Sequence, residues 1–160
     1  MTVTESRLFH EKKREYRFRD ALSMVKDRFD VIVIDTSPTI SFLNLSVLIS
    51  VNEIIIVSVT DFFSFHGLKL MFDQIEDIKE DFDINPKIKI VPNLFDVRDG
   101  ICQESLEALK KHYGDMVTKT TVRKNTDIRE ASKLKNSIFF FKKHSSGRED
   151  MESLTEELLR

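Results

Sequence analysis

Glycine is scarce and scattered in this chain. Its 160 residues hold four, Gly67, Gly100, Gly114 and Gly147, and no two lie close together. A loop that cradles a phosphate needs clustered glycines, so that backbone N–H groups can converge on the anion. No such cluster exists and no G-x-x-x-x-G-K-[ST] string occurs, so the chain brings no phosphate loop of its own. Cysteine is scarcer still. Cys102 stands alone, which excludes an internal disulfide and a thiolate metal framework, and a reducing cytoplasm fits best. The apolar runs (VIVI, EIIIVSV, SIFFF) are too short to span a bilayer. The N-terminal stretch MTVTESRLFHEKKREYRF has no apolar core segment, so no secretory leader is expected. No global field of one sign exists: 25 Lys+Arg against 27 Asp+Glu leave a net charge of −2.

What is present is a core-building composition, 41% hydrophobic and 32% charged, at the length of one domain. Residues 1–10 read as a mobile lead-in, and 11–160 as the folded part. Residues 11–28 read as a helix with Tyr16 or Phe18, Ala21, Leu22 and Val25 on one stripe. Val31-Ile32-Val33-Ile34-Asp35 places four β-branched residues before an acid, the pattern of a strand buried on both faces, and Pro38 ends it. A short helix over 41–50 and a second buried strand over 53–59 follow. Residues 62–82 read as a long helix, 88–92 as a third strand, 101–113 as a helix and 117–122 as a fourth strand. A helical turn over 127–134, the segment Ser137–Phe141, a break at 145–147 and a helix over 148–159 complete the chain. Alternating strands and helices predict an α/β fold: a doubly wound, mostly parallel sheet with helices on both faces.

Charge is uneven although it nearly cancels. Asp61 to Asp83 holds seven acids and two bases, and Lys119 to Arg148 nine bases and two acids. Either stretch is equally well a solvated face. Asp35 is the sharpest candidate for chemistry. An acid at the C-terminal end of a buried parallel strand can hold a Mg²⁺-bound water beside a nucleotide phosphate, or can simply cap the next turn. Arg98 and Asn93 follow the third strand, at the edge where α/β sheets carry function. Arg98 also reads as an ordinary exposed arginine beside Asp96 and Asp99, and Asn93 as a turn residue. The four histidines show no metal-ligand spacing and read as surface or packing residues.

Together these residues resemble the ParA/MinD-type partition ATPases. Phe29 to Pro38 (FDVIVIDTSP) is similar to that family's apolar strand followed by D-x-x-P. Arg14 to Leu22 (REYRFRDAL) is similar to its "REYRLRDAL" helix, and Asp61 to Leu68 (DFFSFHGL) to its "EYFALEGL". Phe95-Asp96-Val97-Arg98 looks like its "-DxR-" loop, and His112 to Thr120 (HYGDMVTKT) like "-YFGDKVYKT-". Lys124-Asn125 and Glu130-Ala131 sit where "PRNVRLSEAP" would fall. Order and spacing hold from about residue 10 to the C-terminus. The ParA/Soj branch fits better than MinD, because no basic amphipathic membrane helix follows the last helix.

The resemblance implies that the family's phosphate loop and first switch precede this stretch, so the chain looks like the C-terminal portion of such a domain. Asp35 would be the switch acid, reaching Mg²⁺ through water, with Pro38 fixing the turn after it. Asn93 and Asn125 would lie by the adenine. Arg98, Lys124, Lys133 and Lys135 would face non-specific DNA. ATP and Mg²⁺ would be cofactors of the intact protein, with neither held tightly by this chain alone. Expected partners are DNA, a ParB-type centromere-binding protein and a second copy in the ATP state, with no membrane, in a bacterial cytoplasm on the nucleoid. The chain also departs from the family pattern. Arg123 stands for a proline, Asp127 for an arginine, and residues 130–137 lose a glycine and two prolines; Lys133, Lys135, Lys142 and Lys143 could restore charge there. A non-catalytic remnant or regulatory interaction module is the alternative function, and a membrane-associated MinD-type relative a third.

Overall fold

The computed structural model describes residues 13–37, 41–61 and 64–160. The lead-in over 1–10 and Pro38 lie outside the described residues. Two compact units are present. One takes in the described residues up to Ile54 together with Phe72–Lys87, and the other Ile55–Met71 together with Ile88–Arg160.

In the first unit the helix expected over 11–28 is broken. A 3-10 turn (Arg14–Tyr16) leads into α1 (Arg17–Ser23), and a second 3-10 turn covers Lys26–Arg28. The break has a local cause. The Ser23 hydroxyl donates to the Asp20 carbonyl at 2.6 Å, and the N–H groups of Met24 and Val25 bond carbonyls three residues back rather than four. No residue of α1 is fully buried. Tyr16 meets Phe82 edge-on, with ring centroids 6.2 Å apart. Ser41 caps α2 (Phe42–Leu48) by accepting from the Asn44 N–H.

Val31–Asp35 is not a strand. It joins no ladder among the described residues, and Val31, Ile32 and Val33 are exposed. β-branched side chains favour extended backbone, but a strand also needs a neighbour to take its N–H and C=O groups, and propensity cannot supply one.

Two parallel strands, β1 (Glu53–Val59) and β2 (Lys87–Asn93), are joined by α3 (Ser64–Phe82), and of these elements residues 55–59, 64–71 and 88–93 belong to the second unit. Asp61 caps α3, accepting from the Ser64 N–H at 2.8 Å. β2 is the interior strand, with Ile90, Val91 and Pro92 all buried. β1 is buried on one face only. Ile56 and Ser58 point inward, while Ile55, Val57 and Val59 are exposed, Val57 at 60%. The fourth expected strand, 117–122, is reduced to single parallel bridges, Ile90 to Val117 and Phe95 to Arg123. The Thr118 side chain explains part of this. It is buried and donates to the Thr120 carbonyl at 2.7 Å, tightening a loop where a straight strand would run.

Helices close the unit: α4 (Gly100–Tyr113), α5 (Thr126–Lys133), the single turn α6 (Ile138–Phe141) and α7 (Ser146–Leu158). His112 packs edge-on against Tyr113, 4.7 Å between centroids. The break expected at 145–147 is the start of α7, with Ser145 at its N-cap. Near the other end of α7, Glu157 clamps the 117–123 segment. Its two oxygens accept from the N–H groups of Lys119 at 2.7 Å and Thr120 at 2.8 Å.

Two tests follow from this packing. A methyl group on Gly147 would lie 2.7 Å from Ile128 Cγ1 and 2.8 Å from Asn125 Cγ, so α7 approaches α5 closely there. Ala is the better helix former by up to ~1 kcal/mol, but overpacking costs about 1–3 kcal/mol, so the clash wins. Gly147→Ala is expected to lower the urea midpoint. Gly67→Ala in α3, where nothing among the described residues lies within 4 Å, is expected to raise it. Matching signs for the two would refute the packing argument.

The second test is pH. Burial pushes the Glu157 carboxyl up, but the N–H groups of Thr120 and Lys119 outweigh it and hold the group below its ordinary range. A depressed folded pKa contributes stability above the unfolded value, about pH 4.3, and loses it as pH falls through the folded one. Glu157→Gln is therefore expected to cost about 1–2 kcal/mol at pH 7 and to flatten the acid limb of stability against pH. Unfolding curves between pH 3 and 7 measure this, and an unchanged acid limb would remove Glu157 from the account.

Candidate functional site

The sequence candidates fall in both units. Asp35 lies in the first, exposed, at the end of the unladdered Val31–Ile34 segment. Asn93, Arg98, Lys124, Asn125, Lys133 and Lys135 lie in the second.

Arg98 and Lys124 are brought together by the backbone. β2 continues into Phe95, whose N–H donates to the Val122 carbonyl at 3.1 Å and whose carbonyl accepts from the Lys124 N–H at 2.9 Å. The loops after β2 and after the 117–122 segment therefore open at one sheet edge. Between them lies a shallow cleft of about 170 Å³ lined by Phe95, Asp96, Arg98, Arg123, Lys124 and Ser146. At the end of β2, the Asn93 carbonyl accepts from the Thr60 N–H at 3.2 Å.

The cations of the cleft differ in how they are held. Arg98 lays its fork on Asp96, Nε to Oδ1 and Nη2 to Oδ2 both at 3.1 Å, and its own N–H also donates to Oδ1. This contact holds the Asp96 carboxyl below its ordinary range and raises the arginine. The guanidinium stays outward, its side chain 86% exposed. Asp99 has a different task, capping α4 by accepting from the Ile101 N–H. Lys124 is exposed.

Arg123 is turned inward. Asp150, buried on α7, accepts from the Arg123 N–H at 2.9 Å, from Nε at 3.0 Å and from Nη2 at 2.6 Å. The hydrogen bonds to Asp150 raise the guanidinium pKa further. The N–H contact is one that a proline at this position could not make. The position departs from the family pattern, and Asp150 is the partner that uses the departure. The sequence pattern gave no sign of this pair, because 27 residues separate its members.

Asn125 holds the fold at this point. Its side-chain oxygen accepts from the N–H groups of Asp127 at 2.8 Å and Ile128 at 3.2 Å, capping α5. Its Nδ2 donates to Ser146 Oγ at 2.9 Å, tying α5 to the start of α7. Asp127 is not an outward acid. It is largely shielded and paired with Lys142 at 2.9 Å, and this contact holds its carboxyl low. One of the four lysines expected to restore charge is thereby occupied. Lys133, Lys135 and Lys143 are exposed.

The family model described as "AAA domain" matches residues 1–90. Among curated relatives, the cell division protein PomZ of Myxococcus xanthus is 32% identical over 99% of this chain and 50% of its own length. The chromosome partitioning protein ParA of the same organism is 26% identical over 100% of this chain and 57% of its own. The chain spans about half the length of the curated relatives it matches. Among solved structures, cobyrinic acid a,c-diamide synthase from Mycobacterium smegmatis superposes with a TM-score of 0.77 at 21% identity, covering 98% of this chain and 57% of that one. The same enzyme, with bound ADP and magnesium, matches at 0.63 over 70% of this chain. That likeness carries the fold: a parallel sheet flanked by helices, of the P-loop NTPase type. The chain belongs to the AAA-domain family and, within it, to the ParA/MinD-type partition ATPases.

Proposed function

We propose that this chain is the C-terminal portion of a ParA-type ATPase that partitions a plasmid or a chromosome, acting on the bacterial nucleoid. The Arg98–Lys124 cleft supports this reading most directly, because it offers outward cations with no groove shaped to read a base. The intact protein would dimerise with ATP bound, grip DNA through phosphates and answer to a ParB-type partner. No helix among the described residues is long and apolar enough to cross a membrane.

ATP with Mg²⁺ supplies the phosphoryl group whose hydrolysis would drive the cycle. By the family resemblance Asp35 would hold a Mg²⁺-bound water, and Asn93 and Asn125, in the second unit, are the residues expected by a base. A triphosphate is gripped by a glycine-rich backbone nest and lysine charge, and four scattered glycines make no nest. An exposed carboxylate repels a triphosphate unless Mg²⁺ stands between them. These 160 residues alone are therefore expected to bind Mg-ATP weakly at best and not to hydrolyse it. Titration calorimetry and a phosphate-release assay measure this, and turnover that Asp35→Ala abolishes would refute it.

The DNA surface is expected to be weak in the isolated chain. Arg98, Arg123 and Lys124 face Asp96, Asp150 and Glu149, the last 3.7 Å from Arg123, so the cleft keeps little net positive charge. The lysines near α5 add to it, but the avidity of an ATP-driven dimer is lacking. Binding should be insensitive to sequence and fall steeply with salt. Arg98→Glu and the pair Lys133→Glu/Lys135→Glu should each reduce binding about equally on unrelated duplexes. Fluorescence anisotropy at two salt concentrations tests this. A strong preference for one sequence, or no loss on charge reversal, would reduce the basic stretch to a solvated face.

A further inference from the structure

The single-turn helix α6 carries an apolar point that the fold does not use. Ile138 faces the core and is buried, and Phe141 is half-buried. Phe140 is 86% exposed, Phe139 beside it is also exposed, and Leu134 at the end of α5 is 64% exposed. The surroundings are basic. From Arg129 to Arg148 the chain holds six bases and one acid; Lys142 is paired with Asp127 and Arg148 with Glu152, which leaves Arg129, Lys133, Lys135 and Lys143 against Glu130.

The point is held firmly. Ser137 Oγ accepts from the Phe139 N–H at 3.3 Å, and the Phe140 and Phe141 N–H groups both donate to the Ser137 carbonyl at 3.0 Å. Arg148 Nη1 donates to the Phe139 carbonyl at 3.1 Å, while its Nε is fixed by Glu152 at 2.8 Å. The chain between α5 and α6 is pinned as well, the Asn136 N–H donating to the Ala131 carbonyl at 2.9 Å. The backbone that carries Phe139 and Phe140 is thereby fixed.

The point also stands away from the bare face of β1. β2 pairs with β1 along one edge and with Val117 along the other, and α5 to α7 follow on from the 117–123 segment. Added strands on the open edge of β1 would extend the sheet in the opposite direction.

We propose that Phe140 is a wedge: resting on the DNA-binding reading above, it enters between two base pairs from the minor groove of duplex DNA while the lysines around it hold the phosphates. Charge complementarity selects a polyanion. Size selects a duplex over a bilayer. One ring on a single helical turn buries less apolar surface than one myristoyl chain, which by itself binds membranes only marginally. A kink in a duplex needs only one inserted side chain at one step, because phosphate contacts carry the affinity. Phenylalanine and leucine are side chains that serve as such wedges, and neither hydrogen-bonds a base edge, so the contact is indifferent to sequence.

The test uses the full 160-residue chain and a 25-base-pair duplex labelled at both ends, read by energy transfer and by anisotropy at low salt. Wild-type chain is expected to shorten the end-to-end distance and to bind a duplex with one mismatched pair about threefold tighter than the matched one. Phe140→Ala, at an exposed position, should keep the wild-type melting curve, lose the shortening and the mismatch preference, and bind about 3- to 10-fold more weakly. Lys133→Glu/Lys135→Glu should lose affinity on both duplexes and retain the mismatch preference in what binding remains. Duplex binding without shortening, unaffected by Phe140→Ala, would overturn the wedge and leave the DNA reading standing. No duplex binding by any form of the chain would overturn both. Phe140-dependent binding to phosphatidylserine vesicles, or to single-stranded DNA in place of duplex, would replace the wedge with a lipid or stacking contact.

Discussion

The backbone of β2 is the constraint on which the C-terminal unit depends. It is the strand with partners on both edges. β1 lies along one, and on the other the carbonyls of Ile90 and Pro92 accept from the N–H groups of Thr118 and Val122, each at 2.9 Å. Proline at position 92 fits this arrangement, because its carbonyl is used and it has no N–H to leave unpaired. Arg98 follows β2 directly, and Lys124 follows the segment that β2 holds. The cleft is therefore a consequence of one strand's hydrogen bonds, and the Glu157 clamp on Lys119 and Thr120 fixes the same segment from the helix side.

Carboxylates then decide which of the many cations face outward. A run of nine bases between Lys119 and Arg148 suggests a strong positive field. Asp150 draws Arg123 inward, Asp127 takes Lys142, and Glu152 takes Arg148. These pairs are more effective at fixing geometry than at adding stability, since exposed ion pairs contribute about 0–1 kcal/mol. Their larger effect is on function, because each partly neutralises a cation that an anion could otherwise meet. Arg98 is the intermediate case: Asp96 orients its fork while leaving it in solvent.

Most helices and two of the four expected strands, 53–59 and 88–92, were legible in the sequence, while the other two strands and the unbroken helix over 11–28 were not, for a physical reason. α3, α4 and α5 carry their apolar stripes and caps locally, so Asp61, Asp99 and Asn125 mark their starts. A strand is a relation between segments. Val31–Asp35 and 117–122 have the composition of strands, yet the first joins no ladder among the described residues and the second keeps single bridges. The site was legible in part. Strand-end position placed Arg98 at the functional edge, and the family resemblance added Lys124. The inward turn of Arg123 and the shielding of Asp127 depend on partners 27 and 15 residues away, which no local pattern announces.

The two exposed apolar regions of this unit differ in kind, and the difference assigns them different partners. On β1 the exposed residues alternate, Ile55, Val57 and Val59 on one face with Ile56 and Ser58 buried on the other. Alternation is the signature of a sheet face prepared for protein packed across it, where burying each side chain would stabilise by roughly 1.5–3 kcal/mol. Relatives about twice as long have sequence from which such cover can come. On α6 the exposed residues are consecutive, Phe139 and Phe140, on one turn too short to present a stripe. Protein cover over a lone turn would have to desolvate the lysines beside it, at a cost of several kcal/mol for each buried ion left unpaired. A polyanion neutralises those same lysines as it approaches. The alternation of β1 therefore favours a protein neighbour, and the basic setting of α6 favours a nucleic acid.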